Sequence, residues 1–265
     1  MLTDDVRRRV GAYVAGMDRD LPGVLTGLYL VGSVALGDYH PRRSNIDVVA
    51  LGDTEWGSGQ LATATRLHEG LGHGRDEARV AYVTAAQLPR NPATARIPSF
   101  RGRQPEDQAE FATPMTWHLL AADAMAIRGP EWFECWHDDA ALRAWALERL
   151  QGRWRAWWTS ARRRPGSLWT RLPVTEGLLE VARLYTAATT GQVLSKMGAG
   201  DAALADVPER FGRVVRDAVG YRGGSGTSMY WGFIERKRHA LELVDELIRR
   251  AGAVEAVGDP GSNGR

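Results

Sequence analysis

The residues whose types and spacing suggest a specific chemistry lie between positions 32 and 47: Gly32-Ser33, then Ser44, Asn45 and Asp47. Gly32-Ser33 follows Leu28-Tyr29-Leu30-Val31, a run with the length and β-type composition of a buried strand that stops at glycine. A strand ending in Gly-Ser presents a closely approachable backbone beside a hydroxyl. Val34-Ala35-Leu36 is short and apolar, Gly37 to Arg43 reads as a loop, and Ser44 to Leu51 reads as a second strand. Asn45 and Asp47 are two apart, so on a strand they share one face. Asp47 offers a charged oxygen to a divalent cation or a proton. Asn45 offers a neutral amide, a poorer ligand for a hard cation such as magnesium.

The elements that must position these groups read as follows. Residues 3 to 19 form a first helix, with Thr3 as N-cap, Asp4 and Asp5 in its first turn, and Val6, Val10, Tyr13, Val14 and Met17 at helical spacing. Leu21-Pro22-Gly23 breaks it before the first strand. A helix from about Gln60 to Leu71 precedes a third strand, Arg79 to Thr84. Residues 85 to 112, rich in Pro, Arg and Gln, read as a long surface loop that covers a cleft. Thr113-Pro114 opens a helix from Met115 to Arg128, with Trp117 and His118 near its start. Both face either a ligand or the core.

The domain boundary falls near Trp136, giving an N-terminal domain over 1–136 and a helical domain over 137–256. The helical domain opens with Ala140 to Thr159, whose Trp154, Trp157 and Trp158 share a face that serves core packing or ligand stacking. Pro165 to Pro173 reads as a loop. A helix from Thr175 to Thr190 follows, carries Glu176, Glu180 and Arg183, and ends at Gly191 in the C′ position. Ser195-Lys196 opens a helix through Leu204, and Pro208 opens another to Tyr221. A glycine-rich break then precedes a final helix, about Thr227 to Arg250, and residues 257–265 read as a disordered tail.

The composition is that of an ordinary globular protein: 265 residues, 44% apolar and 25% charged, enough for one large domain or two small ones. A formal charge of +2 gives no field that argues for nucleic acid. Lysine occurs only at Lys196 and Lys237, which draws attention to Lys196. The single cysteine, Cys135, rules out an internal disulfide and fits a reducing cytoplasm. The amphipathic N-terminus lacks the pattern of a signal peptide, and no apolar run approaches membrane-spanning length. A cytoplasmic protein without nucleic-acid or membrane partners is expected.

The order of strand, Gly-Ser, then a strand with polar groups at i and i+2 resembles the nucleotidyltransferase superfamily. Together with VARLYTAATTGQVLSKMGAGDAALADVPERF, it resembles the aminoglycoside nucleotidyltransferases, specifically the streptomycin and spectinomycin adenylyltransferase group, over about residues 20 to 250. The resemblance implies a fold in two parts, α/β then all-α: a mixed sheet with flanking helices, and a C-terminal helical bundle. It makes Gly32, Ser33 and Ser44 phosphate-loop residues, brings Arg183 and Lys196 to a triphosphate, and puts Tyr221 near the nucleotide. Of the three carboxylates expected by resemblance, only Asp47 is matched; Asn45 and Arg79 stand at the other two positions. Glu77, two residues before Arg79, is the alternative occupant of the third. Pro173 stands where an acidic residue of the drug-binding set is expected.

An arginine beside Asp47 forms a charge-assisted bond in the space a metal would need. Otherwise Arg79 lies on a solvated strand end. Three functions follow. One is a metal-independent enzyme on a specialised metabolite, with no cofactor, Asp47 and Arg79 as the catalytic pair, and Trp117, His118, Trp158, Glu176 and Glu180 around the substrate. The second is a magnesium- and ATP-dependent adenylyltransferase acting on a hydroxyl of an antibiotic-like small molecule. The third is a non-catalytic protein that binds a nucleotide or metabolite.

Overall fold

The computed structural model describes residues 2–72, 77–164 and 166–258, and the chain divides into two units, Met1–Asp138 and Asp139–Arg265.

In the first unit, helix α1 (Asp4–Asp20) begins where the Thr3 hydroxyl accepts the Val6 N–H at 3.4 Å, and Asp4 and Asp5 complement the positive end of its dipole. Val6, Val10, Tyr13 and Met17 are its buried face. Strand β1 (Gly27–Val31) leads into one short turn of helix, α2 (Gly32–Ala35), and then β2 (Ile46–Gly52), α3 (Ser58–Leu71) and β3 (Ala78–Thr84). Next come β4 (Ser99–Arg101), β5 (Gln104–Pro105), α4 (Gln108–Phe111), α5 (Pro114–Ala122) and β6 (Met125–Arg128). The sheet runs β5-β4-β3-β2-β1-β6, with β2 and β3 parallel and the remaining pairs antiparallel.

One face of this sheet is apolar. Leu28, Leu30, Ile46, Val48, Ala50, Ala78, Val80 and Tyr82 pack in a core with Val6, Val10, Tyr13 and Met17 of α1 and Ala64 and Leu71 of α3. Because side chains alternate along a strand, Asp47 and Arg79 belong to the opposite face. Tyr29, Val31, Val49, Ala81 and Val83 are buried on that face too, so Asp47 and Arg79 are polar exceptions in strands that are otherwise apolar on both sides.

Two expectations for this unit change. Residues 85–112 are a structured segment containing two 3-10 turns, β4, β5 and α4, with Leu88, Ile97 and Phe111 buried. Its apolar anchors fall at irregular intervals, so no periodic signal reveals them. The helix expected over Met115–Arg128 ends at Ala122, and Met125–Arg128 instead pairs with β1. An otherwise open strand edge gains hydrogen bonds there, and Arg128 meets both carboxylate oxygens of Asp18 at 2.6 Å.

The second unit is helical: α6 (Asp139–Arg149), α7 (Arg155–Arg163), α8 (Arg171–Thr190), α9 (Lys196–Asp206), α10 (Gly212–Arg222) and α11 (Phe233–Gly258). Helix α8 is its axis and contacts α6, α9, α10 and α11. Leu178, Leu179, Val181, Ala182 and Leu184 are among its buried side chains. Gly191 closes it at φ +74°, a left-handed cap that glycine takes without steric cost.

The helix expected over Ala140–Thr159 is interrupted by a π turn, Leu150–Trp154. Helix α8 begins at Arg171, earlier than expected, because its first turn accommodates Pro173. The last helix starts at Phe233 rather than Thr227 and still includes residues 257 and 258; the remainder of the expected tail lies outside the described residues. No helix among the described residues is long and apolar enough to cross a membrane.

Candidate functional site

On the sheet face away from α1 and α3, strand register places Val31, Asp47, Arg79 and Arg101 side by side across β1, β2, β3 and β4. Asp47 sits against the end of β1. Gly32 has φ +65°, and a Cβ added there would lie 2.6 Å from Asp47 Oδ2. The sequence GS at this turn thus leaves room for the carboxylate. Ser33 is half-buried, and its carbonyl accepts the Asp38 N–H at 2.8 Å.

Ser44 is buried at 3% exposure and its Oγ accepts the His40 N–H at 3.0 Å, so it closes the loop that brings the chain into β2. Asn45, half-buried, precedes β2 instead of belonging to it.

Arg79 lies directly beside Asp47 in the parallel pair. Its Nε donates to Glu106 Oε2 at 2.9 Å, its Nη2 donates to the Glu110 carbonyl at 2.5 Å, and its guanidinium stands 4.7 Å from the Phe111 ring centre. Arg101 donates to the other oxygen of Glu106 at 2.9 and 3.0 Å. Glu106, with a side chain only 8% exposed, is therefore held between two arginines. Arg79 is neither a solvated strand end nor simply the partner of Asp47. It belongs to a pair the sequence did not reveal, because β4 and β5 lay in the apparent loop.

Such a donor set does not fit a pair of divalent ions. Asp47 is the carboxylate in the row, flanked by a guanidinium where a cation ligand is required, and Asn45 brings no charge. Glu77 falls one residue outside β3, its carbonyl accepting the Ile46 N–H at 3.2 Å, so the register that would put it beside Asp47 does not occur.

Arg79→Ala leaves Glu106 with Arg101 alone and is expected to lower stability by about 2–3 kcal/mol. The further change Glu106→Gln in that background is expected to recover part of the loss, measured by urea unfolding of both variants.

In the second unit α8 and α9 bring together four of the expected residues, and α10 adds a fifth residue. Lys196 Nζ meets Glu176 Oε2 at 2.5 Å and Glu180 Oε2 at 3.5 Å, and Arg183 Nη1 meets Glu180 Oε2 at 3.5 Å. Arg222, unforeseen and 3% exposed, donates to Glu176 Oε1 at 3.2 Å. Three cations thus face two carboxylates. Ser195, as N-cap of α9, accepts the Gly198 N–H at 3.0 Å and fixes where Lys196 emerges.

Tyr221 lies beneath the Arg171 guanidinium, 4.5 Å from its ring centre. Arg171 also donates to Asp217 and to the carbonyls of Ser225 and Gly226, so Tyr221 belongs to the anchor of the glycine-rich loop.

Three aromatic candidates have packing roles. Trp117 is 0% exposed and its Nε1 donates to the Leu88 carbonyl at 3.2 Å, leaving no surface for a ligand. His118 is buried, with Nε2 within 3.3 Å of the backbone of Asp138. Trp158 donates to the Leu241 carbonyl at 2.8 Å and lies between Arg155 and Arg162. The helical spacing of these residues reports the core. Burial pushes the Cys135 thiol up to about 12, which removes it as a nucleophile near neutral pH.

No family model matches the chain, and no curated protein matches it in sequence. Its structure is similar to the crystal structure of spectinomycin adenyltransferase AAD(9) from Enterococcus faecialis with ATP and spectinomycin, with a TM-score of 0.70 and 13% identity over 93% of this chain and 99% of that one. At that identity the likeness speaks to architecture alone: this chain shares the fold of that adenyltransferase, a mixed-sheet α/β unit followed by a helical one.

Proposed function

We propose that this chain is an enzyme acting on a small specialised metabolite without divalent metal or nucleoside triphosphate, using Asp47 as its acid-base group. The observation that carries this reading is the identity of Asp47's neighbour across the sheet: Arg79, tied to the buried Glu106 at 2.9 Å. A guanidinium so held stays charged and fixed, and supplies positive potential without coordination chemistry. Asp47, against the Gly32 turn, is the carboxylate beside that guanidinium and the group we assign to accept a proton from a substrate. Loss of metal-based charge neutralisation makes phosphoryl transfer slow, commonly by about two or more powers of ten per term removed. Proton transfer or promotion of a cyclisation makes no such demand.

A second reading, magnesium-dependent adenylyl transfer to a hydroxyl of an antibiotic-like molecule, is favoured by the three cations Arg183, Lys196 and Arg222 gathered against Glu176 and Glu180. Calorimetric titration with ATP, first with magnesium and then with excess chelator, separates the two. The metal-free reading expects no ATP binding tighter than millimolar in either condition. Micromolar, magnesium-dependent binding would overturn it in favour of the adenylyltransferase.

A further inference from the structure

The segment that follows β6 is fastened to its surroundings by backbone groups. The Trp136 N–H donates to the Leu88 carbonyl at 2.8 Å, and Cys135 Sγ lies 3.8 Å from the Trp117 carbonyl of α5. His118 Nε2, also on α5, lies 3.2 Å from the Asp138 carbonyl oxygen and 3.3 Å from the Asp138 backbone nitrogen. Asp138 thus offers that one ring nitrogen both an acceptor and a donor, so either neutral tautomer of the imidazole is accommodated. In the tautomer that donates to the carbonyl, the other ring nitrogen carries the lone pair. This is how a metal-bound histidine is held, with its second N–H given to a carbonyl or carboxylate.

Two further side chains that can ligate a metal meet the same ring. One nitrogen of His118, one of His137 and one carboxylate oxygen of Asp139 all lie within 4.8 Å of one another. The His118 and His137 rings have centres 4.0 Å apart, and Trp136 meets His118 edge-on at 5.9 Å. Two imidazolium charges at that separation repel, which disfavours double protonation and favours the neutral form a metal needs. His118 is buried at 4% exposure, whereas His137 and Asp139 are exposed. One ligand is therefore fixed and two can swing.

We infer that His118, His137 and Asp139 bind one transition-metal dication of the zinc type, which clasps the segment from His137 to Asp139 onto α5. Two imidazoles with one carboxylate suit zinc and its neighbours in the first row, whereas magnesium and calcium favour oxygen throughout. Three protein ligands leave a fourth position for water. A tetrahedral ion with bonds of about 2.0 Å sets its donors about 3.3 Å apart, so the ligand atoms need draw together by at most about 1.5 Å. Rotation of the two exposed side chains supplies that, with the Asp138 backbone left in place. None of the three belongs to the row of Asp47 and Arg79, and the inference does not rest on that row being a site.

The test is calorimetric titration of zinc into the whole chain after treatment with chelator and its removal. The wild type is expected to bind one ion per chain with a Kd of about 10 μM or tighter, and magnesium is not expected to displace it. Binding is expected to weaken about tenfold or more between about pH 7.5 and pH 5.5, because both imidazoles must be neutral to ligate. Zinc is also expected to raise the unfolding midpoint of the wild type, since it binds the folded chain.

His137→Ala removes an exposed ligand and is expected to weaken zinc binding by about a hundredfold or more, at least the cost of losing an outer-sphere partner. Asp139→Asn removes only the charge and is expected to weaken it by about tenfold. The zinc-free midpoints of both variants are expected to match the wild type, which separates loss of the site from loss of the fold. Zinc binding weaker than about 10 μM in the wild type would overturn the inference. So would wild-type affinity in both variants, which would put the ion on other residues. Should His137→Ala fail to fold, Asp139→Asn decides the matter: unchanged zinc affinity there refutes the assignment.

Discussion

Asp217→Ala is expected to lower the unfolding free energy by about 3–5 kcal/mol, the range for stripping one partner from a buried ion pair. Asp217 is 3% exposed, and its Oδ1 accepts from Arg171 Nη2 at 3.2 Å, Ser228 Oγ at 3.1 Å and the Met229 N–H at 2.7 Å. Arg171 would remain largely buried without its counter-charge, and the Met229 N–H would lose its acceptor. Burial already disfavours the charge of Arg236, which Asp217 supports. Asp217→Asn retains an acceptor oxygen and is expected to cost about half as much. Urea unfolding with an unchanged m-value measures both. A loss below about 1 kcal/mol for the alanine variant would mean that the loop after α10 is held by other contacts.

Trp117→Ala is expected to cost about 3–5 kcal/mol, as for other large aromatics removed from a core. The indole is fully enclosed, and its loss also leaves the Leu88 carbonyl without the Nε1 donor. Trp117→Phe keeps much of the volume but not the hydrogen bond, and is expected to fall between the two. Thermal and urea unfolding provide the measurement. If Trp117 instead served a ligand, alanine would leave the stability of the ligand-free protein nearly unchanged. That result would return it to the substrate site.

These two residues also show what the sequence reveals. Trp117 sits at a helix start marked by Thr113-Pro114, and that start is observed, with Thr113 accepting the Thr116 N–H at 3.3 Å. Its neighbours are not legible, since they come from Leu88 in a segment without periodicity. The strands carrying Asp47 and Arg79 are legible as short, largely apolar runs, and their register makes the two residues side-by-side neighbours. Glu106 was hidden because β5 is two residues long and includes a proline, too short for any alternation to register. Likewise the cluster around Lys196 was half visible. Glu176, Glu180 and Arg183 lie along one helix, whereas Arg222 reaches Glu176 from 46 residues away.

The π turn at Leu150–Trp154 acts as a gear tooth for everything after it. A π turn carries one residue more than an α turn, so it offsets the angular setting of α7 relative to α6 by about 100°. Trp157 owes its direction to that offset, and it lands on Gly177, where a Cβ would come within 2.7 Å of the indole. Helix α8 has given up a side chain at the place where the offset delivers an aromatic ring. A one-residue deletion between 150 and 154 would preserve every amino acid of α7 and still turn the wrong side chains toward α8. Length at this point is thus as much a part of the code as residue identity.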